Sequence, residues 1–181
     1  EALSVDTIGR RAVKLIEECL KADPGRDLVF VIGSEVPVPG GDGNVHELKV
    51  TRREDLIFML DRFRALFEER GLSDAWRDVV AVVVQPGVEF FGSSIHHYNR
   101  SESADLVKAL EEYPSLVFEG HSTDYQSKES LRQMVDDGIR ILKVGPALTF
   151  HMREALFALS YIENELLPKE ERSGFIQALD D

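Results

Sequence analysis

The chain of 181 residues is poor in cysteine, in positive charge and in long apolar runs. Cys19 is its only cysteine, so it has no internal disulfide and no cysteine-based zinc site. Acidic residues number 33 against 21 Lys and Arg, giving a formal charge of −12, which argues against nucleic acid or an anionic membrane face as partner. A small phosphorylated molecule is not excluded, because a single site can be locally positive.

Targeting segments are also lacking. No apolar run approaches the ~18 residues of a membrane span. No secretory signal is visible, and the first residue is Glu1 rather than Met, so a natural N-terminus could be missing. We therefore expect the cytoplasm as the default location.

The sequence has no phosphate-cradling loop of the Walker type. The glycine-rich stretch Gly40–Gly43 is not followed by Lys and Ser or Thr, and the pattern Gly-x-x-x-x-Gly-Lys-Ser/Thr occurs nowhere in the chain. This absence argues against an ATP-dependent kinase.

Four apolar runs alternate with amphipathic helical segments, in the order α-βα-βα-βα-βα. The predicted strands are 28–32, 79–84, 115–118 and 139–144. The predicted helices are 4–22, 51–71, 101–112, 127–137 and 146–167. This order predicts one α/β domain over residues 1–181 with a parallel sheet and right-handed crossovers. Four strands form either a small doubly wound sheet or half of a (β/α)8 barrel.

Two local features belong to this prediction. Thr51 and Glu54 have the spacing of a capping box, so the second helix is expected to begin at Thr51. Residues 85–98 contain Pro86, Gly87 and Gly92 and are predicted to form an irregular loop.

The most polar strand end follows the third strand, in the sequence LVFEGHSTDYQ over residues 116–126. A glutamate, an imidazole, two hydroxyls and a carboxylate occur there within six residues. Loops of this kind at the carboxyl ends of parallel strands hold the chemistry of α/β proteins. Ser, Thr and Asp are also helix-capping residues, so a simple capping loop is the alternative interpretation.

Four stretches together resemble the GatZ/KbaZ family. They are VIGSEVPVPGGD at 31–42, VVVQPGVEF at 82–90, FEGHSTDYQ at 118–126 and ILKVGPALTF at 141–150. Members are subunits of class II D-tagatose-1,6-bisphosphate aldolase, are usually described as accessory, and sometimes carry the label tagatose-6-phosphate kinase. The resemblance covers nearly the whole chain.

The resemblance implies a (β/α)8 TIM barrel of the class II aldolase type. Family members are about twice as long as this chain, which corresponds to strands five to eight. The first half, with an Asp-His pair after strand three, and a C-terminal extension would then lie outside it. Half a barrel leaves unpaired strand edges, which we expect the other half or another chain to cover.

Catalytic class II aldolases imply candidate site residues. Their strand-seven histidine binds zinc, and His121 takes its place, while Ser122 and Thr123 match the neighbouring backbone that helps to hold a substrate phosphate. Where those enzymes have a zinc histidine after strand six, this chain has Glu89, a candidate substitute ligand. Gly145 replaces an asparagine in the strand-eight motif. These departures argue against independent catalysis.

The remaining candidates each have two interpretations. Glu35 is either a site-facing carboxylate or a loop residue paired with an arginine. Lys143 either neutralises a phosphate or forms a salt bridge with Glu119 or Glu35. Glu119 and Asp124 either orient the imidazole of His121 or cap the next helix; a structural role is favoured for Asp124.

The function we predict is that of an accessory subunit in tagatose 6-phosphate catabolism, serving either galactitol or N-acetylgalactosamine. It would support a catalytic class II aldolase subunit that holds a divalent metal such as Zn²⁺. The first alternative is a metal-dependent sugar-bisphosphate aldolase in its own right, and the second is a tagatose-6-phosphate kinase. The partner could also be a second copy of the chain.

Overall fold

The computed structural model describes residues 3–33, 48–91 and 94–180. By its internal contacts the chain divides into two compact units, Glu1–Lys143 and Val144–Asp181. Glu35 and the glycine-rich stretch at 40–43 lie outside the described residues. None of the helices within these ranges is long and apolar enough to cross a membrane.

The first unit is an α/β fold built on a four-stranded sheet flanked by helices. Its strands are β1 (Phe30–Ile32), β2 (Val79–Val84), β5 (Val117–Gly120) and β6 (Ile139–Leu142). They lie in the order β1-β2-β5-β6, and every neighbouring pair is parallel. Its helices are α1 (Val5–Ala22), α2 (Arg53–Glu69), α3 (Arg100–Val107), α4 (Ala109–Glu112) and α5 (Lys128–Asp136). The predicted parallel sheet is confirmed.

One face of the sheet packs on the helices. Strand alternation and the pairing register place Ile32, Val82, Val84, Phe118 and Ile139 on this face, and each is at most 3% exposed. They share one apolar cluster with helix residues that include Val13, Phe63, Phe67 and Met134. This cluster is the core of the first unit.

The opposite face is more open. Val31, Ala81, Val83, Val117 and Glu119 point to it by the same alternation. Ala81 is buried but stands outside the apolar cluster, the others are only partly buried or exposed, and Val31 is 42% exposed. This is the face on which a closed barrel would have its interior.

Two of the predicted helices differ in the structure. Helix α2 begins at Arg53 with Arg52 as its N-cap residue and without a side-chain cap bond. The Thr51 hydroxyl instead accepts a hydrogen bond of 2.8 Å from the Gln85 amide, while the Thr51 amide donates to the Gln85 carbonyl at 2.9 Å. Thr51 therefore joins the start of α2 to the end of β2. The predicted helix 101–112 is divided into α3 and α4 at Lys108.

The predicted irregular loop 85–98 contains an antiparallel hairpin. Its strands are β3 (Glu89–Phe91) and β4 (Ser94–His96), with Glu89 opposite His96 and Phe90 opposite Ile95. The turn before it is organised by Gln85, whose side-chain oxygen accepts from the amides of Gly87 and Val88. Strands of only three residues are too short to give a clear alternation in sequence.

The second unit consists of helix α6 (Pro146–Leu166), a short 3-10 turn (Lys169–Glu171) and helix α7 (Phe175–Asp180). The ring of Phe157 packs edge-on against Phe175 at 6.2 Å, and the Arg153 guanidinium lies 4.0 Å from the centre of the Phe157 ring. Helix α6 also carries exposed apolar side chains, among them Leu148, Met152, Leu159, Tyr161 and Leu166. A surface of this kind usually packs against further protein.

Candidate functional site

The loop after β5 begins at a glycine that its surroundings require. A Cβ at Gly120 would lie 3.0 Å from Ile139 Cγ2 and 3.4 Å from Met134 Cε. Since both neighbours belong to the packed core, a larger residue would push β5 away from β6 or α5. Gly120 therefore lets β5 stay close to its neighbours immediately before the polar residues.

His121 and Glu119 form the central contact of the site. Nε2 of His121 lies 2.7 Å from Oε1 of Glu119, and each side chain is 14% exposed. Glu119 is on the open face of the sheet, paired in register with Val83 on one side and Ile141 on the other. Two roles are predicted for Glu119, orienting the imidazole of His121 or capping the next helix. In the structure it contacts the imidazole.

The loop contains two residues with left-handed backbone conformations. Ser122 has φ of 53° and Tyr125 has φ of 61°, and they are the only non-glycine residues with positive φ in the described parts of the chain. Such a conformation costs a non-glycine residue of the order of 1 kcal/mol or more. Strain of this kind concentrates at functional loops, where the surrounding contacts hold it in place.

Thr123 fixes the loop to the end of β6. Its hydroxyl donates to the Lys143 carbonyl at 3.0 Å, and its amide donates to the same oxygen at 3.3 Å. The Lys143 amide in turn donates to the Gly120 carbonyl at 3.0 Å. Thr123 is 1% exposed, so its hydroxyl serves the loop itself in this conformation, whereas the Lys143 side chain is exposed.

The hairpin is attached to the same loop through Gln126 and Tyr125. The Gln126 side chain accepts from the Tyr98 amide at 3.0 Å and donates to the His96 carbonyl at 2.8 Å. The rings of Phe90 and Tyr125 meet edge to face with their centres 5.4 Å apart. The hairpin and the His121 loop are therefore held together at the carboxyl end of the sheet.

A polar contact behind the hairpin involves Tyr98, Asp137 and Arg100. The Tyr98 hydroxyl donates to Asp137 at 3.0 Å, and Arg100 donates to both oxygens of the same carboxylate. The Arg100 bonds hold the pKa of Asp137 below its ordinary value, with a smaller contribution from Tyr98. Burial, followed by the bond to Asp137, raises the pKa of Tyr98.

The other candidate residues are placed as follows. Glu89 is 5% exposed, and its Oε1 accepts from the Phe90 amide at 3.1 Å. Asp124 is 3% exposed but does not cap α5, because Ser127 is the N-cap residue and its hydroxyl accepts from the Ser130 amide at 3.0 Å. Gly145 belongs to the second unit, where it is the N-cap residue of α6.

The described residues do not supply a complete metal site. Within 3–33, 48–91 and 94–180, no group of three or more His, Cys, Asp or Glu side chains is placed to hold a metal ion. A catalytic zinc ion needs about three protein ligands. His121 and Glu89 as metal ligands, and Ser122, Thr123, Lys143, Gly145 and Glu35 as substrate residues, therefore stay predictions.

The fold and the site define a class of protein: an α/β protein with a parallel sheet and a strained, polar loop at the carboxyl end of a central strand. The sequence profile of one family, described as "D-tagatose-1,6-bisphosphate aldolase subunit GatZ/KbaZ-like", matches residues 1–181. The chain belongs to this GatZ/KbaZ-like family.

A solved structure supports the same relationship. The chain is similar to a probable tagatose 6-phosphate kinase from Sinorhizobium meliloti 1021, with 40% sequence identity and a TM-score of 0.77. The match covers 92% of this chain but only 39% of that one. The chain thus spans about two fifths of the length of this relative.

Sequence reasoning identified the loop but not all of its connections. Gln126 is the last residue of the motif FEGHSTDYQ. Its hydrogen bonds to the backbone of His96 and Tyr98 have no signal in sequence spacing, because these partners lie about 30 residues away. Tyr98 and Asp137 are separated by 39 positions, so their hydrogen bond likewise has no signal in the sequence. Only the fold brings these pairs together.

Proposed function

We propose that this chain is the second half of a (β/α)8 barrel of the class II aldolase type. The open face of the sheet supports this proposal, because a half-exposed Val31 and a buried Glu119–His121 pair on one sheet face suit a barrel interior. The strands β1 and β6 stand at the two edges of the sheet, where further strands would continue it. The length of the solved relative leaves room for the other half.

The whole protein, in this proposal, is an accessory subunit of class II D-tagatose-1,6-bisphosphate aldolase, acting in the cytoplasm in tagatose 6-phosphate catabolism. The observation that carries the proposal is family membership combined with two departures from the motifs of the catalytic enzymes: Glu89 stands in place of a zinc histidine, and Gly145 stands in place of an asparagine. The catalytic partner would supply the metal ion, which polarises the substrate ketone as a Lewis acid.

The residues of this chain would act by binding and by holding the loop in shape. Of the predicted substrate residues, Ser122 and the exposed Lys143 would contact a sugar phosphate, because the Thr123 hydroxyl is engaged with the Lys143 carbonyl. The apolar side chains exposed on α6 are available to pack against the rest of the protein or against the partner subunit. The accessory effect would then be stabilisation through an interface rather than chemistry.

The test uses full-length protein, purified without chelator, in three assays with D-tagatose 1,6-bisphosphate: alone with added Zn²⁺, with a catalytic subunit, and with the catalytic subunit after storage. We expect no cleavage by the protein alone and a longer-lived activity of the mixture than of the catalytic subunit by itself. The variant His121→Ala should leave this protection intact, as should the control His151→Ala on the exposed surface of α6.

Two other outcomes would replace the proposal. Cleavage by the protein alone, lost in His121→Ala but kept in His151→Ala, would make it an aldolase in its own right. ATP consumption dependent on tagatose 6-phosphate would support a kinase, the activity in the name of the relative from Sinorhizobium meliloti 1021. The lack of a Walker pattern in the sequence argues against the latter.

A further inference from the structure

We infer that Glu119 is a positioning residue that fixes which nitrogen of His121 carries the proton. The contact that carries this inference joins Nε2 of His121 to Oε1 of Glu119 at 2.7 Å. The inference concerns the folded chain and does not depend on the accessory function.

The chemistry of the two groups determines the direction of this bond. An ionised carboxylate can only accept hydrogen bonds, whereas a neutral imidazole has one donor and one acceptor nitrogen. Nε2 must therefore donate to the carboxylate, and in a neutral ring this leaves Nδ1 as the nitrogen without a proton. At 2.7 Å, the bond has the short length typical of a charge-assisted contact.

The burial of both side chains and the backbone geometry of β5 stabilise this tautomer of His121. Both side chains are 14% exposed, so little water competes for the carboxylate. Glu119 lies within β5, held on both sides by β2 and β6, so its backbone cannot turn away from the ring. His121 follows two residues later, before the strained Ser122, and the loop geometry keeps the ring beside the carboxylate.

The consequence concerns what His121 can do toward a ligand. A neutral ring with its proton on Nε2 accepts through Nδ1, so it would receive a hydrogen bond from a hydroxyl rather than donate one to a phosphate oxygen. Histidine ligands held by a carboxylate through the other nitrogen follow the same logic. Glu119 thus determines whether His121 donates or accepts a hydrogen bond toward a ligand, without itself contacting that ligand.

The test is nitrogen NMR of full-length protein labelled with ¹⁵N-histidine, at neutral pH. The His121 signal is assigned by its disappearance in His121→Gln. We expect the ring proton on Nε2, exchanging slowly with water, and in Glu119→Gln an exchange about tenfold faster, since a neutral acceptor holds the proton more weakly. The control Glu129→Gln removes an exposed carboxylate of α5 and should change neither signal.

Two results would overturn the inference. A neutral ring with its proton on Nδ1 in the unmodified protein contradicts it directly, and this measurement needs no variant, so it stands even if Glu119→Gln does not fold. An unchanged exchange rate and tautomer in a folded Glu119→Gln protein would show that the loop alone places the imidazole. Either result leaves the accessory function unaffected, because that function is tested by the lifetime of aldolase activity.

Discussion

The two faces of the four-stranded sheet are stabilised in different ways. The face toward the helices is closed by apolar contacts: Phe118, Val82 and Ile139 are all fully buried there. The opposite face carries Val31 at 42% exposure and the hydrogen-bonded pair of Glu119 and His121. Phe118 and Glu119 are adjacent in β5, but Phe118 packs in the apolar core and Glu119 forms a hydrogen bond on the opposite face.

The difference extends to the loops at the carboxyl end of the sheet. The helix-facing core needs only apolar side chains of suitable size, so its stability should be insensitive to pH. The loop after β5 is instead held by polar bonds from Thr123 and Gln126, and it contains two left-handed residues. Stability is concentrated on the first face, and the chemistry is placed on the second.

The largest expected effect is on the helix-facing side. Phe118→Ala removes a side chain with no exposed surface and leaves a cavity, so we expect the free energy of unfolding to fall by about 3–5 kcal/mol. Urea unfolding of the full-length protein measures this loss. Phe58→Ala removes the same side chain from a 64% exposed position of α2 and should cost less than about 1 kcal/mol. Equal losses of unfolding free energy in Phe118→Ala and Phe58→Ala would contradict the view that stability is concentrated on the helix-facing side of the sheet.

A smaller effect is expected where Gln126 holds the hairpin. Gln126→Leu keeps a similar volume but leaves the Tyr98 amide and the His96 carbonyl without this partner, which should cost about 2 kcal/mol. Hydrogen exchange at the Tyr98 amide should accelerate accordingly. Gln133→Leu loses only an exposed bond to Glu129 and serves as the matched control. If the Tyr98 amide stayed as protected as in the parent protein, Gln126 would not be what holds the hairpin.

The smallest effect should depend on pH. The pKa of Asp137 is held low in the fold, so its contribution is present above the pKa of an unfolded carboxyl, ~4, and disappears as the pH falls through the lower folded value. Asp137→Asn should therefore cost about 1 kcal/mol at pH 7 and progressively less below about pH 4. Urea unfolding at several pH values measures this.

The neighbouring variant Asp136→Asn is the control, since Asp136 is exposed and should matter little at any pH. A cost of Asp137→Asn that stayed constant from pH 7 down to pH 3 would mean that the carboxylate charge contributes nothing to the contact with Arg100 and Tyr98.

The sequence predicted the elements whose signals are local and periodic. The run VVAVVV gave β2 with its observed bounds. The helices predicted from Ser4 and Ser127 begin one residue later, with these two serines as their N-cap residues. The loop around His121 was identified because a polar stretch followed an apolar strand. These features depend on neighbours within a few residues, which a single sequence displays.

What the sequence could not predict depends on contacts between distant residues. Thr51 had the spacing of a helix cap, but the Gln85 backbone, 34 positions away, binds its hydroxyl. The hairpin was overlooked because strands of three residues show no periodicity. The bond between Glu119 and His121 was one of two alternatives, and only the geometry of the loop selects it.

The measurement that tests the central claim most directly is the accessibility of the open face in the full-length protein. Val31 and Val135 are 42% and 41% exposed in this chain, so they form a matched pair. In a cysteine-free background of this protein, which includes Cys19→Ser, each is replaced by cysteine, and the reaction with a water-soluble thiol reagent is timed. If the face is the interior of a completed barrel, Val31→Cys should react at least tenfold more slowly than Val135→Cys. Equal rates would contradict the barrel.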